Sequence, residues 1–479
     1  MKDLKMFIDG KFIENKSGKW INVLNPSTEE VISRQPEGTV EDADAAVEAA
    51  AKAQVKWEKV PAIERAGYLK KIAAGIRKRE KQFTDIIVRE GGKTQGLANV
   101  ETNFTADYID YMAEWARRYE GEIIQSDRAN ENIFLFKRPI GVAAGILPWN
   151  FPFFLIARKA APALVTGNTI VVKPSQLTPE NAYVFAEVVE EAGLPAGVFN
   201  LVMGRGSVIG NALAKNPKVG IVSLTGSVEA GQQIMMAAAP NITKVSLELG
   251  GKAPAIVLPD ADLDLAVKSI IDSRVDNTGQ VCNNAERVYV HKSIKDAFIA
   301  KMTEGLKKVK FGDPSKDANL DMGPLVEERA LKTVLAKIEH AIEQGAKLVY
   351  GGHRVGTKGY FIEPTLLIDC KQEMDIIHQE TFGPVLPIVE FDNVDQVIEW
   401  ANDCEYGLTS SIYTKDLDTA AKMVRSLKFG ETYINRENFE AMQGFHAGWR
   451  KSGIGGADGK HGLEEYLQTQ VVYYDSHYE

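Results

Sequence analysis

Five short apolar runs, separated by stretches of helical character, decide the fold of this chain. They read VAAGIL (residues 142–147), TIVVK (169–173), VFNLV (198–202), GIVSL (220–224) and KVSLEL (244–249). Short apolar runs rich in β-branched residues that alternate with helices are typical of βαβ units. The segment therefore predicts a parallel sheet with helices on its faces.

Boundary residues refine this pattern. A first helix is expected near residues 154–164, and a second is expected to be capped by Thr178, opened by Pro179 and ended by Gly193.

The uncharged stretch 141–157 approaches the length of a membrane span, but it contains prolines and a polar residue and is followed by basic residues. It is interpreted as a buried strand that runs into a polar turn, and no membrane association is expected.

A second alternation of strands and helices follows the first. It contains a helix at residues 263–275 and later strands that include VLPIVEF (385–391) and ETYIN (431–435). Two further apolar strings, at residues 132–140 and 467–474, have the character of extended strands. The chain is therefore expected to be α/β, with a second α/β domain and an extended arm.

Composition is that of a globular enzyme and excludes several other classes. A chain of 479 residues with 44% hydrophobic and 25% charged residues is neither disordered nor collagen-like, and two to four domains are expected. A net charge of −9 argues against broad nucleic-acid binding. Three scattered cysteines and seven histidines without ligand spacing predict no disulfide framework and no metal site. The absence of an apolar leader and the few cysteines favour a cytoplasmic protein.

Three residues have side chains suited to covalent catalysis on a carbonyl group. Cys282, which follows Gly279 in a possible tight turn, can act as a nucleophile where its surroundings favour the thiolate. Glu248, at a strand end before two glycines, can act as a general base, and the Asn150 amide can stabilise an oxyanion. From the pattern alone an inert buried cysteine, an ion-paired glutamate and a helix-capping asparagine remain open.

Dinucleotide binding is indicated only weakly, because no G-x-G-x-x-G motif is present. The string KPSQ (residues 173–176) follows one predicted strand, and GSVEAG (226–231) places a glycine and a helix start where a phosphate would bind. A turn at residues 379–384 contains Glu380, whose carboxylate can accept hydrogen bonds from ribose hydroxyls.

Together these motifs resemble those of the NAD(P)-dependent aldehyde dehydrogenase superfamily. The order is Pro-Trp-Asn, Lys-Pro-Ser, Thr-Gly-Ser, Glu-Leu-Gly-Gly, Gly-Gln-x-Cys and Glu-x-Phe-Gly-Pro, and the resemblance covers nearly the whole chain. It implies two Rossmann-like α/β domains plus a β-strand oligomerisation arm, and a homotetramer, with a dimer as the alternative. The implied parts are a cofactor-binding domain at 1–120 and 139–249, a catalytic domain at 250–450, and an arm at 121–138 and 464–479.

The resemblance also implies a role for each candidate residue. Cys282 would attack the aldehyde carbonyl, Asn150 and the Cys282 backbone N–H would hold the oxyanion, and Glu248 would activate the water that hydrolyses the thioester. The cofactor, NAD with NADP as a second possibility, would be bound by Leu147, Lys173, Ser175, Gln176, Gly226, Ser227, Gly231, Leu249, Glu380 and Phe382. The substrate, a small aldehyde, would be bound by Arg158, Asn283, Glu440 and His446.

Two longer stretches, residues 105–128 and 429–462, are similar to the lactaldehyde/glycolaldehyde dehydrogenases within this superfamily. This similarity implies oxidation of a small α-hydroxyaldehyde to its acid. A semialdehyde, an amino-aldehyde or an aromatic aldehyde remains open as substrate. A CoA-acylating reaction is disfavoured because Glu248 stands in an intact Glu-Leu-Gly-Gly motif. A non-catalytic protein on the same scaffold is disfavoured because Cys282, Glu248 and Asn150 are all present.

Three positions depart from the pattern common in the superfamily. Gln176 stands where glutamate is frequent and lacks the charge that repels a 2′-phosphate, which predicts NAD preference with appreciable NADP use. Val275 replaces an aromatic residue and is expected to widen one side of the pocket. Asn284 stands where related chains carry another cysteine, so no protective disulfide is expected beside Cys282.

Overall fold

A computed structural model describes residues 2–15 and 17–476, and within these residues two mainly parallel sheets are flanked by helices. The end of the predicted arm, residues 477–479, lies outside the described residues, as do positions 1 and 16. Within the described part of the chain, no helix combines the length and apolar character needed to cross a membrane.

The first sheet is built around the five apolar runs predicted as strands. Its strands in spatial order are Gly453–Ile454, Lys244–Glu248, Val219–Thr225, Val142–Ile146, Thr169–Lys173, Phe199–Leu201, Met6–Ile8 and Lys11–Ile13. The strands from Lys244–Glu248 to Phe199–Leu201 pair in parallel, and the outer ones pair antiparallel. Every residue of Val142–Ile146 is buried, as expected for a central strand covered by helices on both faces.

The two helices whose boundaries were predicted, Phe154–Val165 and Glu180–Glu191, begin and end close to them. The helices before residue 240 are Val40–Trp57, Ala62–Lys78, Glu80–Gly91, Gln95–Glu114, Phe154–Val165, Glu180–Glu191, Asn211–Lys215 and Val228–Ala238. The prediction that Thr178 caps Glu180–Glu191 is wrong. The Thr178 hydroxyl instead donates to the Trp149 carbonyl oxygen at 3.4 Å, in the loop that ends the neighbouring strand.

The second sheet confirms the second alternation. Its strands in spatial order are Lys347–Tyr350, Thr365–Cys370, Val385–Phe391, Arg287–His291, Pro254–Val257, Thr409–Tyr413 and Glu431–Ile434. All neighbouring strands except the first pair run parallel. The accompanying helices are Leu263–Val275, Lys295–Leu306, Glu328–Glu343, Asp375–His378, Val394–Asn402 and Leu417–Ser426.

The two predicted extended strings pair with each other in the same chain. Leu467–Asp475 lies antiparallel to Glu131–Pro139, which also pairs with Glu122–Gln125, and we call these strands the arm sheet. Apolar side chains stand exposed on it, with Ile123 71% and Tyr473 65% accessible. A small N-terminal sheet is formed by Lys2–Asp3, Val31–Pro36 and Trp20–Leu24.

A C-terminal segment returns to the first sheet and brings distant residues to its functional end. Gly453–Ile454 pairs antiparallel with the end of Lys244–Glu248. The Ser452 hydroxyl donates to the Gly250 carbonyl oxygen at 2.7 Å, and the Leu249 N–H donates to the Ser452 carbonyl oxygen at 2.8 Å. Residues before and after this strand are thereby placed beside the carboxyl ends of the parallel strands, where ligands of such sheets bind.

Candidate active site

A cavity of about 520 Å³ lies beyond the carboxyl ends of the strands of the first sheet. It brings together residues from both alternations of the sequence. Of the predicted site residues, those that line it are Asn150, Arg158, Gly226, Ser227, Glu248, Leu249, Cys282, Asn283, Glu380, Phe382, Glu440 and His446. The predicted cofactor residues outside this lining are Leu147, Lys173, Ser175, Gln176 and Gly231.

The Cys282 thiol is positioned by a strained turn. Asn277 and Thr278 have φ angles of 46° and 60°, and Gly279 follows with φ 72°. A Cβ on Gly279 would lie 2.3 Å from the Gly383 carbonyl oxygen, so only glycine fits there. Burial raises the pKa of the Cys282 thiol, whereas the neighbouring His446 lowers it. A charge partner is therefore needed to make this cysteine a thiolate.

Glu248 is a buried but ionised carboxylate. Its Oε2 accepts a hydrogen bond from Thr225 Oγ1 at 2.6 Å, and Lys159 Nζ lies 3.8 Å away. Burial raises the pKa of Glu248, but Lys159, Arg158 and His446 together bring it below its ordinary value. An ionised carboxylate that faces the cavity can accept a proton from water.

The Asn150 amide is fixed by a buried network. Its Nδ2 donates to the Gln280 carbonyl oxygen at 3.0 Å, which leaves its second N–H for the cavity. Lys93 Nζ donates to the Asn150 carbonyl oxygen at 2.8 Å and to Glu101 Oε2 at 2.6 Å. Glu101 Oε1 accepts two backbone N–H groups at the start of Phe154–Val165, so one ion pair holds both the loop and the helix.

Arg158 is bound on two sides by carboxylates. Its Nε and Nη2 donate to the two carboxylate oxygens of Asp458 at 3.0 and 2.6 Å, and Nη2 also donates to Glu440 Oε1 at 2.6 Å. Burial raises the pKa of Glu440, but His446 and Arg158 reduce it to about 2. The charge of Arg158 is therefore compensated, while its Nη1 has no acceptor among the described residues.

Asn283 lines the cavity and has one side-chain polar atom without a partner among the described residues. Its Nδ2 donates to Glu440 Oε2 at 2.6 Å, which fixes the orientation of the amide. Its Oδ1 is buried and has no hydrogen-bond partner in the described part of the chain. A buried acceptor without a partner is costly, so this amide carries a strain that its bond to Glu440 offsets only in part.

His446 stands between Cys282 and a carboxylate that sequence analysis did not find. Its Nδ1 hydrogen-bonds Glu431 Oε1, and the same nitrogen lies 3.9 Å from Glu440. Burial lowers the pKa of His446, but Glu440, the Cys282 thiol and Glu431 raise it well above its ordinary value. These neighbours therefore favour the protonated form of the imidazole.

Two carboxylates, the buried Asp458 and the partly buried Glu431, and the apolar wall were not predicted from the sequence. Asp458 and Glu431 gave no local signal, because they act through Arg158 and His446 and touch them only in the folded chain. The wall includes Leu97, Val100, Phe104, Phe151, Phe154 and Phe439. The first three of these recur at helical spacing on Gln95–Glu114, a pattern that could have identified one face of that helix as cavity lining.

The predicted cofactor residues form a region suited to a dinucleotide. Lys173 is buried, burial lowers its pKa to about 8, and its Nζ has no acceptor among the described residues. Ser227 Oγ accepts the Ala230 N–H at 3.2 Å and begins Val228–Ala238, whose N-terminal end faces the cavity. A Cβ on Gly231 would lie 2.7 Å from Leu249 Cδ1, so this glycine lets Leu249 pack at the cavity edge. The Lys173 ammonium is suited to bind hydroxyl groups, and the N-terminus of Val228–Ala238 is suited to bind a phosphate.

Three further cofactor candidates, Glu380, Ser175 and Gln176, accept hydrogen bonds from neighbouring residues. The Glu380 Oε1 accepts the Gly251 N–H at 2.9 Å, and burial together with Glu286 raises its pKa to about 7. The Ser175 hydroxyl accepts the Leu177 N–H at 3.2 Å. The Gln176 carbonyl oxygen accepts from Gln35 Nε2 at 2.7 Å, so the backbone of Gln176 is fixed.

Val275 and Asn284, which were expected to shape the surroundings of Cys282, are both buried. The expectation that Val275 widens the pocket is wrong, because Val275 packs in the hydrophobic core of the second sheet and does not line the cavity. Asn284 Oδ1 accepts from Arg274 Nη1 at 2.7 Å and is fully buried. In the described residues, none of the cysteines is disulfide-bonded.

A thiol, an ionised carboxylate and an amide donor around one cavity, with a dinucleotide-like region beside them, define an enzyme of covalent carbonyl chemistry. The aldehyde dehydrogenase family model matches residues 12–472, and the chain belongs to this family. It is an oxidoreductase that acts on aldehydes and uses NAD(P).

Particular relatives extend the similarity over almost the whole chain. Lactaldehyde dehydrogenase of Escherichia coli (strain K12) is 65% identical over 471 residues, which cover 98% of each chain. A solved structure of lactaldehyde dehydrogenase has a TM-score of 0.99 at 64% identity and covers 99% of this chain and 100% of its own. A structure of 3,6-anhydro-L-galactose dehydrogenase in complex with NAP has a TM-score of 0.96 at 41% identity, covering 98% of this chain and 99% of its own.

Proposed function

We propose that this enzyme oxidises a small α-hydroxyaldehyde, of the class of lactaldehyde and glycolaldehyde, to its carboxylic acid with NAD. The observation that carries the proposal is the polar wall of the cavity that holds Cys282, where Arg158 and Asn283 line the space and Arg158 Nη1 has no acceptor among the described residues. A hydroxyl beside the carbonyl can accept from Arg158 Nη1 and lie against the Asn283 amide. The identity to a lactaldehyde dehydrogenase supports the same substrate class.

The charge of the cavity argues against an acidic substrate such as a semialdehyde that carries a distal carboxylate. Arg158 is already paired with Asp458 and Glu440, and Glu248 adds a further carboxylate. A substrate carboxylate entering the cavity would have to share a guanidinium that two carboxylates already bind. A neutral hydroxyl needs only hydrogen bonds.

The chemistry follows from three side chains. The Cys282 thiolate adds to the aldehyde carbon, and the second Asn150 N–H and the Cys282 backbone N–H stabilise the resulting oxyanion. Bound NAD(P) supplies the hydride acceptor. Once the hydride has left, the carbon is a thioester on Cys282. Glu248 then takes a proton from water as that water attacks the thioester, which releases the carboxylic acid and regenerates Cys282.

The variant Asn283→Ala tests this proposal, because it should reduce the selectivity of the enzyme for aldehydes that carry a hydroxyl group. We expect kcat/KM for glycolaldehyde to fall by roughly tenfold, because the hydroxyl loses the polar side chain against which it lies, whereas kcat/KM for propanal changes by less than about threefold. Initial rates of NADH formation give both values. Asn319→Ala, on an exposed loop, is the matched control and should leave both substrates unchanged. An equal loss with both aldehydes would contradict the proposed contact.

For the cofactor, we propose that Lys173 and Glu380 bind ribose hydroxyls, that Ser227 faces the pyrophosphate, and that Gln176 hydrogen-bonds the 2′-hydroxyl. The other residues of this region are Leu147, Ser175, Gly226, Gly231, Leu249 and Phe382. The uncharged Gln176 does not repel a 2′-phosphate, so NAD is preferred over NADP without being the sole cofactor.

The ratio of kcat/KM for NAD to that for NADP measures this preference. We expect a ratio above one and below about a thousandfold, equivalent to roughly 4 kcal/mol. Gln176→Glu should raise the ratio because the new carboxylate repels the 2′-phosphate. Gln82→Glu makes the same chemical change on an exposed helix face and should leave the ratio unchanged. A wild-type ratio beyond a thousandfold would be inconsistent with this role of Gln176.

We also propose the implied division of the chain, with cofactor binding at 1–120 and 139–249, catalysis at 250–450, and oligomerisation through 121–138 and 464–479. Exposed apolar side chains on the arm sheet support a further subunit contact, and we propose a homotetramer in the cytoplasm. A monomer at micromolar concentration by light scattering would exclude the assembly.

A further inference from the structure

A chain of hydrogen-bonded groups runs from the second sheet to His446, which lines the same cavity as Cys282. The Tyr433 hydroxyl donates to Glu431 Oε2, and Glu431 Oε1 hydrogen-bonds His446 Nδ1. Tyr433 and Glu431 both lie on the strand Glu431–Ile434, which fixes their positions. His446 is 2% exposed and lines the same cavity as Cys282, and it lies close enough to lower the pKa of the Cys282 thiol.

We propose that Glu431 and His446 activate Cys282: the imidazole pairs with the thiolate, and Glu431 is a positioning residue that fixes and charges that imidazole. This inference rests on the proposed role of Cys282 as nucleophile. It gives His446 a function that is independent of any hydroxyl group on the substrate. Glu248 keeps its proposed role as general base toward water, because a different residue, Thr225, donates a hydrogen bond to it.

Activation moves one proton from Cys282 to His446. The Cys282 S–H bond breaks, its proton goes to the free ring nitrogen of His446, and the Nδ1–H of the ring donates to the Glu431 carboxylate. The products are a thiolate and an imidazolium, with no change in redox state. A carboxylate on the far side of an imidazole stabilises the imidazolium, which in turn stabilises a thiolate.

The charges around His446 favour the protonated ring. The groups that face it or its neighbours in the cluster are Glu431, Glu440, Glu248, Asp458, Arg158, Lys159 and Tyr433. The four carboxylates outnumber the two cations, the Arg158 guanidinium and the Lys159 ammonium. Removing Glu431 takes away one negative charge and the hydrogen bond that orients the ring, so the pKa of His446 falls and that of Cys282 rises.

The test is the pH dependence of Cys282 alkylation by iodoacetamide, without substrate or cofactor, followed by mass spectrometry of the peptide that contains Cys282. Peptide resolution is needed because Cys404 is also partly accessible. We expect Glu431→Gln to raise the midpoint of the alkylation profile by about one pH unit, which is about tenfold slower alkylation below that midpoint. Glu431→Asp should recover part of the shift.

The matched control is Glu363→Gln, which breaks an exposed pair with His353 at 3.2 Å far from the cavity, and its profile should superimpose on the wild type. His446→Gln provides a second variant should Glu431→Gln not fold, and it should shift the midpoint upward at least as far. Unchanged profiles in the folded variants would overturn the inference.

Turnover separates this inference from the proposed substrate. Glu431→Gln should lower kcat/KM about tenfold for propanal and for glycolaldehyde alike, since the thiolate attacks both. A loss confined to glycolaldehyde, with an unchanged alkylation profile, would show that His446 serves the substrate hydroxyl only. A shifted profile in an enzyme that shows no preference for hydroxyaldehydes would refute the proposed substrate and leave this inference standing.

Discussion

Replacing Cys282 by alanine is expected to abolish aldehyde oxidation, with kcat/KM lowered by at least about 10⁴-fold. A free aldehyde carries no alkoxide from which a hydride can leave, and the addition of the thiolate creates that alkoxide. Without the thiol, neither the oxyanion site nor Glu248 has an intermediate on which to act. Initial rates of NADH formation over a range of aldehyde concentrations give kcat/KM, and fluorescence titration with NADH shows whether cofactor binding is retained.

Cys404→Ala is the matched control for this loss. Cys404 is a partly accessible cysteine outside the cavity lining, so its removal should leave kcat/KM within about twofold of the wild type. Activity retained in Cys282→Ala would show that this protein does not use covalent catalysis at Cys282. Activity lost in both variants would indicate that cysteine removal harms the fold.

Glu248→Gln is expected to separate the two halves of the reaction. The thiolate can still form the thioester, so one NADH per active site should appear in a rapid burst. The following steady state should fall by roughly 10²- to 10⁴-fold, because no carboxylate takes the proton from the attacking water. Stopped-flow absorbance measures both phases, and Glu343→Gln, on an exposed helix face, should leave both unchanged.

The same experiment distinguishes hydrolysis from acyl transfer to CoA. The structure places an ionised Glu248 in the cavity, which a transfer to CoA would not require. CoA should therefore not be needed for turnover by the wild-type enzyme. A wild-type rate that depends on added CoA, or a Glu248→Gln variant with an unchanged steady state, would contradict the hydrolytic role of Glu248.

Local patterns in the sequence predicted most of the fold because the determining interactions are local. The helix Leu263–Val275 has the predicted bounds, since Asp262 caps it by accepting the Asp264 and Leu265 N–H groups at 3.1 Å. The apolar runs of the first sheet became its central strands because each can be buried on both faces. Membership of the family was predicted correctly from the order of six motifs.

The finer structure of the site depends on contacts that no local pattern contains. Arg158 and Asp458 are 300 residues apart in the chain, yet they form a bidentate pair. His446 and Glu431 hydrogen-bond across a strand and a loop. Thr178 donates to the Trp149 carbonyl oxygen instead of capping a helix, and this contact depends on where Trp149 lies in the folded chain. Such pairs form only after both sheets are assembled. The sequence could therefore indicate which groups carry the chemistry, but not which groups hold and charge them.

The most direct test of the central claim is a comparison of substrates with the wild-type enzyme. Absorbance at the NADH band, with the acid product identified by mass spectrometry, would give kcat/KM for lactaldehyde and glycolaldehyde beside propanal, a semialdehyde and benzaldehyde. We predict an advantage of at least about tenfold for the hydroxyaldehydes, the worth of roughly one hydrogen bond to a buried group. Equal or faster oxidation of the other aldehydes would contradict the proposed recognition of the hydroxyl by Asn283 and Arg158, and no NADH formation with any of them would contradict the proposed reaction itself.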